Sequence, residues 1–158
     1  MENRSAIVVT NSKIMRKLVS PVIARNGNEK TIAKAVWDTG ATSTCISPTL
    51  AKELKLQPIG KTKVLSASNE TDGVNIYKVD IIVCDGIRLN NVTVCEMPIH
   101  YQEIGLLIGM DIISEGDFSV SSFGDKTTFT FRIPSLSETR FTSHEQTFAE
   151  LIEAAKTL

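Results

Sequence analysis

The chain has 158 residues, with 17 lysines and arginines against 18 aspartates and glutamates and a 42% hydrophobic share. That length suits one domain with a core of its own, and a net charge of −1 offers no basic field for a phosphate backbone, so nucleic acid is not an expected partner. No run approaches the roughly 18 apolar residues of a membrane span. The N-terminal MENRSAIVVTNSK loses its apolar character after a few residues, so no secretory signal is expected either.

The segment 1–17 carries no clear element. Residues 18–25 and 31–37 are apolar-alternating runs joined by Asn26-Gly27-Asn28, a strong hairpin signal. Ser47 followed by Pro48 reads as an N-cap and first-turn pair, with Leu50 and Leu54 suiting two turns of helix that end before Pro58. Lys52, Lys55, Lys61 and Lys63 are expected on a solvated face. A polar, turn-rich stretch, 65–74, then precedes a long hairpin, 74–84 with 87–97, about Asp85-Gly86.

Asp111 is expected to cap a single helical turn, 112–115, stopped by Gly116. A third hairpin pairs 118–121 with 127–133 around Gly124-Asp125, with Phe129, Phe131 and Ile133 alternating to one face. A linker, 134–139, leads to the last segment. There Ser143 and Gln146 have capping-box spacing, and Phe148, Leu151, Ile152 and Ala155 fall at i, i+3, i+4 and i+7, predicting an amphipathic helix over 142–158. Its apolar face is expected to pack on its own domain, with a contact to a second copy as the alternative. The expected organisation is an N-terminal segment (1–17), one sheet-dominated domain (18–133), and a linker with helix (134–158).

Three cysteines, Cys45, Cys84 and Cys95, are too few for a disulfide framework, and their odd count fits a reducing, cytoplasmic compartment. The turn at Asp85-Gly86 sets residue 84 opposite 87 and therefore Cys95 opposite Ile76, far from Cys84. All three are read as small buried apolar residues. With only His100 and His144 to help them, no metal site is expected.

The sharpest local feature is Trp37-Asp38-Thr39-Gly40-Ala41-Thr42-Ser43, a carboxylate directly after an apolar strand, then a hydroxyl and a glycine. Asp, Thr and Gly are all turn formers, so the tripeptide alone would pass for an ordinary turn. Buried strands, however, rarely end in an ionisable side chain without a reason. A second signal, Leu106-Leu107-Ile108-Gly109, follows far along the chain, and its glycine would let one segment pack tightly beneath another.

In this combination the sequence resembles the retroviral-type aspartic proteases, the retropepsin-like family, over roughly residues 18–133. The resemblance rests on a hairpin leading into Asp38-Thr39-Gly40-Ala41, then a short helix, a mobile hairpin, a paired strand, and Leu107-Ile108-Gly109 leading into a short helix. Gly109-Met110-Asp111 is closer to the cellular and bacterial branches than to the viral enzymes. The resemblance implies a mostly-β closed barrel with short helices, and an aspartic endopeptidase that acts on a peptide or protein substrate without cofactor or metal.

The family's chemistry needs two aspartates and this chain supplies one motif, so the resemblance implies a homodimer in which each copy contributes Asp38. Two ionised carboxylates about 3 Å apart repel by roughly 5 kcal/mol at an effective dielectric near 20, so one proton is shared and the pair titrates as a unit. The resemblance also gives Thr39 a bracing hydroxyl reaching to the partner's backbone, and makes Gly40 the residue that lets backbone approach. Ala41 is implied at the substrate and, lacking serine's hydroxyl, suggests activity at less extreme acidity. Ser66, Ala67, Ser68 and Asn69 fall where the family carries its hairpin lid, and Ile108 falls in the substrate cleft.

Two departures are plain. Viral members often pair an acid soon after the catalytic motif with an arginine after the second glycine, where this chain has Thr42 and Met110. They also interleave terminal strands, where this chain ends in a helix. Among rival readings, Asp111 as a second carboxylate in the same chain is set against its better reading as a helix cap. Cys45 as a thiol nucleophile lacks any local signature. A non-catalytic peptide-binding or dimerisation module, or a fragment acting within a larger protein, are the alternatives in function.

Overall fold

In the computed structural model the described residues are 5–65, 70–99, 103–141 and 147–156. In chain order the strands are β1 (Ser5–Asn11), β2 (Leu18–Asn26), β3 (Glu29–Trp37), β4 (Cys45–Ile46), β5 (Gly60–Leu65), β6 (Glu70–Cys84), β7 (Ile87–Glu96), β8 (Ile104–Ile108), β9 (Asp117–Ser121) and β10 (Thr127–Ile133). The helices are α1 (Pro48–Glu53), α2 (Met110–Ile113) and α3 (Phe148–Ala155). Strands β2-β3-β8-β4-β7-β6 follow one another in a sheet that closes through a β2–β6 pairing, making a six-stranded barrel with β5 attached outside β6. Closure removes the free edges of those strands.

The three hairpins expected from turn signals are present. Asn26 pairs with Glu29 across a two-residue turn in which Gly27 supplies a φ of +58°, a region that favours glycine. Cys84 pairs with Ile87 and Cys95 with Ile76, the expected register, although two compensating shifts lie between those ends. α1 begins as the sequence implies: Ser47 accepts the Leu50 N–H at 3.2 Å and Pro48 opens the first turn, while Leu50 and Ala51 are buried in the core. The four lysines around it are exposed.

The strand β1 was not legible from the sequence. It pairs antiparallel with β10 from Ser5↔Ile133 to Asn11↔Thr127, and β10 pairs with β9, forming a three-stranded sheet beside the barrel. Phe129 and Phe131 are fully buried beneath it and meet Trp37, the last residue of β3. Trp37 stacks on Phe118 at 5.7 Å, lies 4.9 Å from the Phe131 ring centre and donates from Nε1 to Ser20 Oγ at 2.9 Å. Aromatic contacts of this kind add about 0.5–1.5 kcal/mol each beyond their buried area. The residue immediately before Asp38 is therefore anchored in the core.

Three expectations are corrected. α2 starts two residues earlier, with Gly109 at its N-cap position and Asp111 inside the first turn, because the Asp111 carboxylate is turned back toward Thr44. α3 is capped at Thr147, whose extended backbone ends any helix running from 142. Thr147 Oγ1 accepts the Glu150 N–H while the Glu150 carboxylate accepts the Thr147 N–H, a complete capping box. Ser143 and Gln146 lie outside the described residues. Finally, no residue of α3 is buried, and Phe148 is 79% exposed, so its apolar face does not pack on its own domain.

Candidate active site

Asp38 stands where two parallel strands end side by side. β3 and β8 run parallel with Trp37 opposite Ile108, and the Asp38 N–H continues their ladder to the Ile108 carbonyl at 2.9 Å. The chain turns at once: Ala41 N–H donates to the Asp38 carbonyl and Gly40 N–H to Asp38 Oδ1 at 2.9 Å. A side chain at Gly40 would place its Cβ 3.2 Å from that carboxylate oxygen, so glycine keeps the approach open. Asp38 and Ala41 are half-buried, and Thr39 and Gly40 are exposed.

The 109 turn lies against this loop. Met110 N–H donates to the Ala41 carbonyl and Asp111 N–H to the Thr42 carbonyl. A Cβ on Gly109 would sit 2.7 Å from the Ser43 carbonyl carbon and 3.0 Å from Ala41 O, which explains the glycine that closes the Leu106-Leu107-Ile108-Gly109 signature. Two segments far apart in sequence thus meet as one seam. Thr42 and Met110 are exposed and uncharged, so no ion pair forms at the positions where viral members often carry one.

Asp38, Thr39, Gly40 and Ala41 form one loop beside Ile108. Ile108 itself is fully buried, and its carbonyl accepts the Asp38 N–H. On the opposite face of β8, Leu107 is half-buried and lies in register with Cys45 and Val36. Strand alternation decides between the two. Ser66, Ala67, Ser68 and Asn69 lie outside the described residues, although β5 and β6 pair up to Leu65↔Glu70 on either side of them.

Burial pushes the Cys45 thiol up to about 11, with Cys95, Asp111 and Asp38 adding to the effect, so it stays protonated and is no nucleophile at neutral pH. Cys45 is opposite Cys95 on β7, and all three cysteines are free, but Cys84 and Cys95 are only half-buried. Among the described residues no cluster of three or more His, Cys, Asp or Glu side chains gathers as a metal site. No described helix is long and apolar enough to cross a membrane.

Two features went unseen in the sequence. Thr44 is fully buried and bonded on both sides of its hydroxyl, yet a threonine after a turn carries no local sign of that role. Asp111 gives both carboxylate oxygens to Thr44.

The barrel, the Asp-Thr-Gly loop at its strand ends and the glycine packed beneath it agree with the comparison to known families, where residues 22–112 match the aspartyl protease model. The chain belongs to the aspartyl protease family. Its fold is retropepsin-like. It is similar to a retropepsin-like aspartic protease from Rickettsia conorii, with a TM-score of 0.54 and 12% identity over 84% of this chain and 98% of that one. It is also similar to the EIAV protease solved with the inhibitor HBY-793, with a TM-score of 0.50 and 16% identity over 66% of this chain and 91% of that one. No curated protein matches it by sequence.

Proposed function

We propose that this protein is an aspartic endopeptidase whose catalytic pair is Asp38 from each of two copies. One observation carries the reading: Asp38 ends the paired β3 and β8 strands with one carboxylate oxygen turned to the Gly40 N–H of its own loop, whereas both oxygens of Asp111, the other acid at the seam, are held by Thr44. Asp38 is half-buried, and the Thr39 and Gly40 that follow it are exposed. A second copy facing it across a two-fold axis would both enclose the site and supply the second carboxylate.

In that arrangement the two carboxylates share one proton, because both cannot ionise at close range. The charged member takes a proton from a water held between them while the protonated member donates to the scissile carbonyl, giving a gem-diol without a covalent enzyme intermediate. Gly40 and Ala41 offer backbone to an extended peptide, Leu107 is the β8 side chain that faces it, and the exposed Thr39 hydroxyl reaches to the partner copy. The β5–β6 hairpin, paired up to Leu65↔Glu70, is the element suited to cover an extended peptide.

The rival reading is a non-catalytic module of the same fold, since fold does not determine chemistry. The test compares wild type with Asp38→Asn on a mixed peptide library from acidic to neutral pH, with mass in solution measured in parallel. Cleavage lost by at least a thousandfold in the variant, from a species of twice the chain mass, is the expected result. Equal cleavage by both proteins removes the enzymatic reading, and full activity from a strict monomer removes the shared pair.

A further inference from the structure

The loop that carries Asp38 is tied to the turn beside it by six hydrogen bonds. Three are backbone to backbone: Asp38 N–H to Ile108 O at 2.9 Å, Met110 N–H to Ala41 O at 2.8 Å and Asp111 N–H to Thr42 O at 3.2 Å. The other three pass through two side chains. Thr44 N–H donates to Asp111 Oδ2 at 2.9 Å, Thr44 Oγ1 donates to Asp111 Oδ1 at 2.7 Å, and Gly109 N–H donates to Thr44 Oγ1 at 3.1 Å. Half of the seam therefore depends on one hydroxyl and one carboxylate.

The Thr44 side chain is fully buried, so its hydroxyl is shielded from water that would replace these partners. Its one donor goes to the carboxylate and one lone pair takes the Gly109 N–H, a threonine used in both directions. The bridge also lies where the chain lacks the charged pair that viral members often place at the positions of Thr42 and Met110. Asp111 is the only charged side chain in these contacts.

We propose that the Thr44–Asp111 bridge is the positioning device for the Asp38 loop, holding it against the Gly109 turn in place of an ion pair. The inference rests on the peptidase reading for its catalytic consequence but not for its structural one. Neither residue touches the reacting atoms. Both act through the loop.

The chemistry distinguishes the substitutions. Thr44→Val keeps the shape and removes donor and acceptor together, leaving Gly109 N–H without its acceptor and Asp111 Oδ1 with only the Ile112 N–H. Thr44→Ser keeps the hydroxyl. Asp111→Asn keeps only one acceptor oxygen, so its amide must face a backbone donor, Ile112 N–H or Thr44 N–H, and it holds only part of the bridge.

The experiment measures amide hydrogen exchange of peptides covering 38–44 and 105–113, together with kcat and KM on any peptide that wild type cleaves and Asp38→Asn does not. Thr44→Val is expected to exchange at least tenfold faster in both segments and to lose at least tenfold in kcat with KM changed less than threefold. Thr44→Ser is expected to recover most of both, and Asp111→Asn to fall between wild type and Thr44→Val. Wild-type exchange in a folded Thr44→Val overturns the proposal, as does a kcat that Thr44→Ser fails to restore. Should Thr44→Val not fold, Asp111→Ala against Thr44→Ser decides by the same readouts. If wild type cleaves nothing while exchange responds as expected, the bridge stands and the peptidase reading fails.

Discussion

Substituting Gly109 by alanine tests the seam beneath Asp38 with a single methyl group. The new Cβ would meet three backbone atoms, Ser43 C at 2.7 Å, Ser43 O at 2.8 Å and Ala41 O at 3.0 Å, so no side chain can rotate away to relieve it. Gly109 has a φ of −95°, open to any residue, so the cost is steric rather than conformational. Relative to ordinary contact these approaches are short by roughly 0.4–0.7 Å, a distance the 41–43 backbone must yield. Overpacking of this kind costs about 1–3 kcal/mol. In a chain of this size that lowers Tm by roughly 2–12 °C.

The displaced residues lie within one turn of the Asp38 loop. A misplacement of about 1 Å can cost on the order of 100-fold in rate, so a shift of roughly half that should cost about tenfold in kcat. Thermal unfolding by circular dichroism and cleavage of a peptide that Asp38→Asn spares are the assays. Gly86→Ala is the control, because its Cβ would crowd chiefly the Ser5 side chain at the first residue of β1, away from the Asp38 loop. A Gly109→Ala protein that melts within a degree of wild type, with unchanged kcat, refutes the packing argument.

Two other predictions concern the rest of the chain. Asp117 accepts from the Ser135 hydroxyl, from Leu136 N–H at 2.8 Å and from Arg132 Nε at 2.6 Å, and these donors hold its carboxyl well below the usual carboxylate range. A depressed folded-state pKa contributes stability that is present above the unfolded value of about 3.9 and lost as pH falls toward the folded one. The difference in urea midpoint between wild type and Asp117→Asn should therefore shrink as pH is lowered from 6 to 3, and a constant difference would contradict this account. Truncation after Phe141 should leave the unfolding free energy of a monomeric preparation within about 0.5 kcal/mol of the full chain, because no residue of α3 is buried. A larger loss would mean that the helix is held by its own domain.

Much of the local structure is written in local pattern. The turns at Gly27-Asn28 and Asp85-Gly86 and the Ser47-Pro48 helix start follow from backbone preferences within a few residues, so they are readable one segment at a time. Even the Cys95–Ile76 register follows from the turn that sets it, since its two shifts cancel. The Asp38-Thr39-Gly40 and Leu107-Ile108-Gly109 motifs mark the two halves of the site for the same reason. Each motif has its own turn chemistry.

What the tertiary structure decided is everything that depends on which segment comes to lie beside which. β1 becomes a strand because β10 offers it an edge, and the barrel exists because β2 closes on β6, pairings that nothing in either partner's own residues announces. Ile108 and Leu107 are equally apolar, and only the direction of β8 against β3 and β4 buries one and leaves the other on the Cys45 face. Asp111 has the composition of a cap and serves instead as Thr44's partner, because closing the seam between distant loops satisfies more buried hydrogen bonds than capping one turn. Short-range preferences are summed along the chain, whereas burial and polar satisfaction are settled only when remote segments meet.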